Sequence, residues 1–314
     1  MPSLRRIAAA AMLVALLATA AAGASGAAYP LGRGSGGCPV FPASGPWHEN
    51  VSRLPVSPRS SLYIAAIGAS GFLHPDFGSE RAYGIPYAVV SANQPRVAIH
   101  FTAYGAQSDP GPYPIPPGAP VEGGAGASGD RHVLVVQRGS CRLYELYDAH
   151  PNADGSWDAG SGAVFDLRSN RLRPDGWTSA DAAGLPIFAG LIRYDEVRRG
   201  RIDHAIRFTA PRTQAGFIHP ATHFASSSTD PALPPMGLRL RLKASFDISG
   251  FPRVARIILR AMQTYGLILA DNGSPWYFQG ATDPRWDDGA LDTLKRVPGS
   301  AFEVVQTGPI RRTS

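Results

Sequence analysis

The residues best able to move protons or hold charge are concentrated between Asp203 and Asp271. Asp271 closes an apolar stretch, Leu267 to Ala270, and is followed by Asn272-Gly273-Ser274 and Trp276. A carboxyl at a strand end, in a polar turn beside an aromatic ring, can present a proton to a glycosidic oxygen. The plainer alternative is a turn-forming Asp bonded to nearby backbone. Glu145 shares a strand face with Cys141, Leu143 and Tyr147, so partial burial and a raised pKa are expected there. A glycosidase needs one protonated and one ionised carboxyl, which makes Glu145 and Asp271 a candidate catalytic pair.

Along Asp203 to Thr209, strand alternation puts Asp203, Arg207 and Thr209 on one face and His204, Ile206 and Phe208 on the other. His204 reads either as a hydrogen-bonded core histidine or as a catalytic group. Arg207 reads either as a surface charge or as a clamp on a substrate carboxylate. His223 opens the small polar run Phe224 to Ser228, where an imidazole can act as general base. In a polysaccharide lyase it would abstract the α-proton of a uronate whose carboxylate Arg207 and Arg241 neutralise. His219 and His223 stand four apart, a metal-ligand spacing on a helix, and His204 would complete a mononuclear site. Pro220, however, biases residue 219 away from helical geometry. No cofactor is expected beyond that weakly indicated metal ion.

Substrate-binding candidates follow from the cations and the aromatics. In Leu238-Arg239-Leu240-Arg241-Leu242-Lys243 the leucines take one face and three cations the other. That face is either solvated or a basic groove for an acidic glycan. Arg253, Arg256 and Arg260 repeat the pattern on a helix. Trp157, Trp177, Trp276 and Trp286 lie in Gly/Asp/Ser-rich surroundings, where an aromatic face can stack on a sugar ring. Trp177, Trp276 and Asn272 are therefore carried as glycan contacts. Nucleophile-elbow, zincin, C-x-x-C and P-loop patterns are absent, which argues against an α/β-hydrolase, a zincin or an NTPase.

These residues need a scaffold, and strand signals dominate. Runs at 85–90, 97–103, 163–167, 202–209, 238–244 and 267–270 predict strands. His132 to Gln137 and Arg142 to Tyr147 predict a hairpin across Arg138-Gly139-Ser140. Helices are expected over 58–69, from the Ser179-Ala180-Asp181 cap signature over 179–184, over 191–199 and over 252–265. The last carries Val254, Ile257, Ile258, Ala261, Met262 and Tyr265 on one face. Residues 107–129 form a long Pro/Gly loop, of the length that serves a site or covers a sheet edge. With 35 glycines, 29 prolines, 17% charged and 44% hydrophobic residues, the chain is neither a helical bundle nor disordered. A mainly β fold is expected: a β-sandwich or jelly-roll-like core with few short helices and long Gly/Pro loops.

Arg5 and Arg6 precede an apolar run ending near Leu17, and small residues follow to Ala28, with Ala22-Gly23-Ala24 a candidate cleavage site. This is the pattern of a secretory signal peptide over 1–28. The remainder divides into an extended arm, 29–58, and one globular domain, 59–314. Its only cysteines, Cys38 and Cys141, are expected to form a disulfide in an oxidising compartment. The net charge of +6, two units of it from Arg5 and Arg6, points to anionic ligands rather than nucleic acid. No other run reaches bilayer-spanning length.

Two segments, Asp175-Gly-Trp-Thr-Ser-Ala-Asp-Ala-Ala-Gly-Leu-Pro-Ile187 and the stretch from Pro235-Met-Gly to Tyr265-Gly-Leu-Ile-Leu-Ala-Asp-Asn-Gly-Ser274, resemble a family of uncharacterised secreted bacterial proteins frequent in actinobacteria. The resemblance implies one secreted domain and carries no activity. The functional expectation is thus a secreted polysaccharide-cleaving enzyme, hydrolase or lyase. The rival expectations are a non-catalytic glycan- or wall-binding module and a metal-dependent enzyme built on the histidines.

Overall fold

The computed structural model describes residues 30–312; the leader read over 1–28 lies outside the described residues. Among them no helix is long and apolar enough to cross a membrane. In chain order the strands are β1 (His74–Asp76), β2 (Tyr87–Val90), β3 (Ile99–Phe101), β4 (Val133–Gln137), β5 (Arg142–Tyr147), β6 (His150–Pro151), β7 (Trp157–Ala159), β8 (Ser161–Asp166), β9 (Ile206–Ala210), β10 (Arg239–Leu242), β11 (Leu267–Asn272), β12 (Tyr277–Gln279) and β13 (Phe302–Val304). The helices are α1 (Ser60–Ile67), α2 (Ile187–Gly190), α3 (Tyr194–Arg199), α4 (Arg253–Thr264) and α5 (Asp288–Asp292).

The fold is mainly β, with three mixed sheets. A six-stranded sheet runs β1-β12-β9-β11-β10-β13, a four-stranded sheet β2-β4-β5-β8, and a three-stranded sheet β3-β7-β6. The four-stranded sheet is the middle layer. Because side chains alternate along a strand, Leu134, Val136, Leu143, Ala163 and Phe165 enter the large core shared with the six-stranded sheet. Val133, Val135, Tyr144 and Leu146 face a second core with Trp157 and Ala159 of the small sheet. Burial on both faces explains why β4 reads as the unbroken apolar run Val-Leu-Val-Val.

The amphipathic α4 lays Ala255, Ile258, Leu259 and Met262 against the core. It stops at Gly266, whose φ of +76° suits glycine and where a Cβ would lie 2.0 Å from the Leu240 carbonyl oxygen. β11 begins in the next residue, so this tight turn sets the register of the strand that ends in Asp271.

Two expectations are corrected here. The Ser179-Ala180-Asp181 signature starts no helix. Ser179 Oγ instead accepts the Asp181 amide at 2.9 Å, and Asp181 Oδ1 accepts the Ala183 amide at 3.1 Å. Such side-chain acceptors serve turns as well as caps. Nor do the β10 cations line a groove. Arg239 is buried and donates to the carbonyls of Tyr265 and Pro46, both at 2.6 Å. Arg241 bonds Glu303 at 2.8 Å and the carbonyls of Val51 and Leu54 at 2.6 and 2.9 Å. Residues 46–54 of the arm cross this face, and the arginines fasten them.

The other end of the arm is tied to the β4–β5 hairpin by the Cys38–Cys141 disulfide, which spans 103 residues. Replacing both cysteines by serine is expected to lower stability by roughly 2–4 kcal/mol, since a long closed loop restricts the unfolded chain. Urea unfolding of the variant checks this; an unchanged midpoint would count against it.

Candidate active site

Asp271 leaves the end of β11 at a register shift, where Leu269 pairs with Phe208 but Asp271 pairs with Thr209. Its carboxyl forms part of a cleft of about 200 Å³ together with Tyr104, Tyr147, Asp130, Asp181, His223 and Asn272. Asp271 is half-exposed by surface area yet closely surrounded by protein, as befits a group in a cleft wall. Beside it stands a buried ion pair. Arg207, from the neighbouring strand β9, donates through Nε and Nη2 to Asp181 Oδ2 at 3.2 and 3.0 Å. Both side chains are almost fully enclosed.

Two carboxyls thus share one guanidinium. Burial pushes the Asp271 pKa up to about 7, and the negative charge of Asp181 adds to the rise; Arg207 and the Asn272 amide oppose it. Burial also raises Asp181, against the pull of Arg207 and the Ala183 amide. Of the two, only Asp181 makes the direct ion pair with Arg207. The proton the trio retains near neutrality therefore belongs on Asp271.

His223 supplies a complementary group. Its Nδ1 lies 2.8 Å from the Ala182 carbonyl oxygen. A carbonyl only accepts, so Nδ1 carries the hydrogen. That fixes the tautomer and leaves the Nε2 lone pair without a hydrogen-bonding partner among the described residues. Ala182 follows Asp181 in the chain, so one turn places both the histidine and the carboxylate.

Behind the cleft, His132 is buried 2.6 Å from Glu122 and bonds the Ala180 carbonyl at 2.9 Å. Burial works against its proton, but Glu122 outweighs that and holds the ring up to about 9. The His132 ring packs at 6.0 Å from Tyr147, whose phenol enters the cleft wall.

The structure brings Asp271, Asn272 and His223 together at this cleft and sets Arg207 directly behind it. It does not bring in the other candidates. Glu145 is fully buried, and its two oxygens accept the Ile187 and Phe188 amides at 2.9 and 2.8 Å. It anchors the start of α2 and is no cleft partner for Asp271. His204 is buried, with Nε2 3.2 Å from Arg193 and 3.3 Å from Glu196. His219 bonds Asp175 at 2.7 Å. The three histidines do not converge, and among the described residues no group of three or more His, Cys, Asp or Glu could hold a metal ion. Trp276 is wholly buried, donating to the Gly68 carbonyl at 2.7 Å and packing against Phe208 and Phe302, so it offers no face to a sugar. Trp157 and Trp286 are also buried. Trp177 is half-buried and borders an open cleft of about 640 Å³ with Arg142, Arg171 and Arg173, whereas Trp157, though buried, edges another of about 380 Å³. There Arg173 pairs with Asp109 and Arg142 with Asp166, so the charges are largely internally matched.

Sequence reasoning missed Asp181, Asp130, Tyr104 and Tyr147 as cleft residues. Asp181 was legible only as a helix cap. Tyr104 and Asp130 stand at the two ends of the long 107–129 loop, which was the one signal available for them.

The buried Glu145 also makes a pH signature. Burial lifts its carboxyl from the ordinary 4.5 to about 7, against the two amide bonds. A raised acid pKa favours the protonated form in the fold. Its stabilising contribution is complete below pH ~4.5 and is lost as pH rises through about 7. Tm should therefore fall across that window, and Glu145→Gln should flatten the fall; an equally steep slope in the variant would refute this origin. Asp271, also raised to about 7, has the same sign and adds to the fall.

No protein-family model, no curated protein and no solved structure matches the chain.

Proposed function

We propose that this is a secreted carbohydrate-active enzyme that hydrolyses a polysaccharide, with Asp271 as the proton donor. The observation that carries the reading is a carboxyl whose pKa is raised to about 7, in a cleft lined by two tyrosines and a histidine of fixed tautomer. A neutral carboxylic acid at neutral pH is what protonation of a glycosidic oxygen requires. As that bond breaks, the Asp271 proton passes to the leaving oxygen. Water adds to the anomeric carbon and gives its proton to His223 Nε2. The phenol rings of Tyr104 and Tyr147 provide sugar-packing surfaces that the buried tryptophans do not.

Hydrolysis is favoured over elimination because Arg207 is neutralised by Asp181 and Arg241 by Glu303, leaving neither as a clamp for a uronate. The signal-peptide pattern and the disulfide support the extracellular setting.

The test is to incubate the purified mature protein with neutral and uronate-bearing polysaccharides, with and without chelator. Reducing ends and unsaturated ends are both read. New reducing ends without unsaturation are expected. Unsaturated ends would replace the reading by a lyase, and loss of product with chelator would replace it by a metal enzyme. Binding without product would make the protein a glycan-binding module.

A further inference from the structure

A second, strongly charged groove lies elsewhere in the fold. It has a volume of about 420 Å³ and runs between α4 and the segment that follows α3. Arg253, Arg256 and Arg260 of α4 form one wall with Arg201 opposite, while Ile202, Ile257 and Ala261 contribute apolar surface. The one acid in it, Asp203, is already paired with Arg201 at 2.8 Å. The guanidinium groups of Arg253, Arg256 and Arg260 make no hydrogen bond or ion pair with any described residue.

This arrangement works against the helix that carries it. Arg253/Arg256 and Arg256/Arg260 stand at i,i+3 and i,i+4, the spacings at which like charges repel. Arg253 and Arg256 also occupy the first turn, where the helix dipole disfavours cations. The helix contains no acidic residue to offset either effect. An ordinary solvated face mixes charges of both signs. Here three cations are held at axial spacings of about 4.5 and 6 Å, from the 1.5 Å rise per residue.

From this we infer that the α4 groove is a binding site for an acidic polysaccharide, distinct from the Asp271 cleft. The regular cation spacing suits a chain with an anionic group on successive units. Each guanidinium can bind a carboxylate through two parallel hydrogen bonds. The groove's concavity and aliphatic floor suit a linear glycan lying along it, with a sugar ring against the half-buried Ile257. A flat bilayer would meet no apolar ridge here, because the outermost residues are the arginines. The two sites lie at opposite ends of β11, since α4 feeds its first residue and Asp271 stands near its last. The groove would hold the polymer while the cleft acts on it, or tether the protein to an acidic matrix.

The experiment measures binding of polygalacturonate and of neutral dextran, as a function of salt, to the mature protein and to three variants. Wild type should bind polygalacturonate and not dextran. Arg253→Gln/Arg256→Gln/Arg260→Gln should weaken binding about tenfold or more at low salt and lower the dependence of log Kd on log salt by roughly two to three. Glutamine keeps the stem and the helix propensity, and all three positions are exposed, so folding is retained and checked by Tm. The control Arg53→Gln/Arg81→Gln/Arg138→Gln, an equal charge change at exposed sites elsewhere, should bind like wild type. Asp271→Asn should also bind like wild type, which separates this inference from the hydrolase reading. It is overturned if wild type ignores polygalacturonate, if the control loses as much as the α4 variant, or if duplex DNA or phosphatidylglycerol vesicles compete at lower charge concentration than the glycan.

Discussion

Asp271→Asn is expected to reduce polysaccharide hydrolysis by about 10²–10⁴-fold, the usual worth of a positioned general acid. Asparagine matches the carboxyl in size and can still accept the Asn272 amide, which reaches Asp271 Oδ1 at 2.7 Å. It has no acidic proton to give. Stability should change little, and at neutral pH it should not fall, because the variant removes an ionisable group that the fold prefers protonated. The wild-type rate should decline as pH rises through about 7, where Asp271 loses its proton. Steady-state rates across pH, with Tm recorded on the same samples, check both statements. Wild-type activity in the asparagine variant would remove Asp271 from the mechanism.

Asp181→Asn should act on the same proton from behind. In the proposed hydrolysis Asp181 would act only as the counter-ion that occupies Arg207 and repels charge on Asp271. Losing it leaves a buried guanidinium without its partner, which costs roughly 3–5 kcal/mol when nothing compensates. Asp271 can compensate in part by ionising, since its repulsive neighbour is gone and Arg207 is released. Its pKa should therefore drop, and the decline in rate should move to lower pH. A purely structural role for Asp181 would lower Tm without moving that limb, so the pH profile decides between the two. Asp181→Ala lacks the acceptor as well and should be less stable than the asparagine variant.

What could be read from the sequence follows from where local physics dominates. The hairpin at Arg138-Gly139-Ser140 and the amphipathic α4 are local, and the structure reproduces them within one or two residues. Short strands such as β1, β12 and β13 left no trace, because three residues carry no periodicity and their pairing partners lie far away in the chain. The same limit governed the site. Asp271 could be singled out because it ends a visible strand. Asp181 could not, since its role depends on Arg207, 26 residues later in sequence. Alternation correctly put Arg239 and Arg241 on a common face, but nothing local showed that the chain's own arm would cross it. Trp157, Trp276 and Trp286 are withdrawn into the fold for a related reason: polar neighbours in sequence do not prevent a ring from being buried by distant residues.

The order of the six-stranded sheet also bears on how the protein comes into being. β1, from the first third of the chain, pairs only with β12, its His74 ring stacked 3.9 Å from Tyr277, while the opposite edge is closed by β13. Val56 and Phe72 likewise bridge to Val305 and Pro298. Synthesis is vectorial, so the early segments must wait, unpaired, until β12, β13 and their flanking residues have emerged. Such distant closures make folding slow, and a chain halted before β12 would display open strand edges prone to self-association. The strand that bears Asp271 is completed only shortly before β12 arrives, so the Asp271 cleft is among the last parts of this fold that a growing chain can assemble.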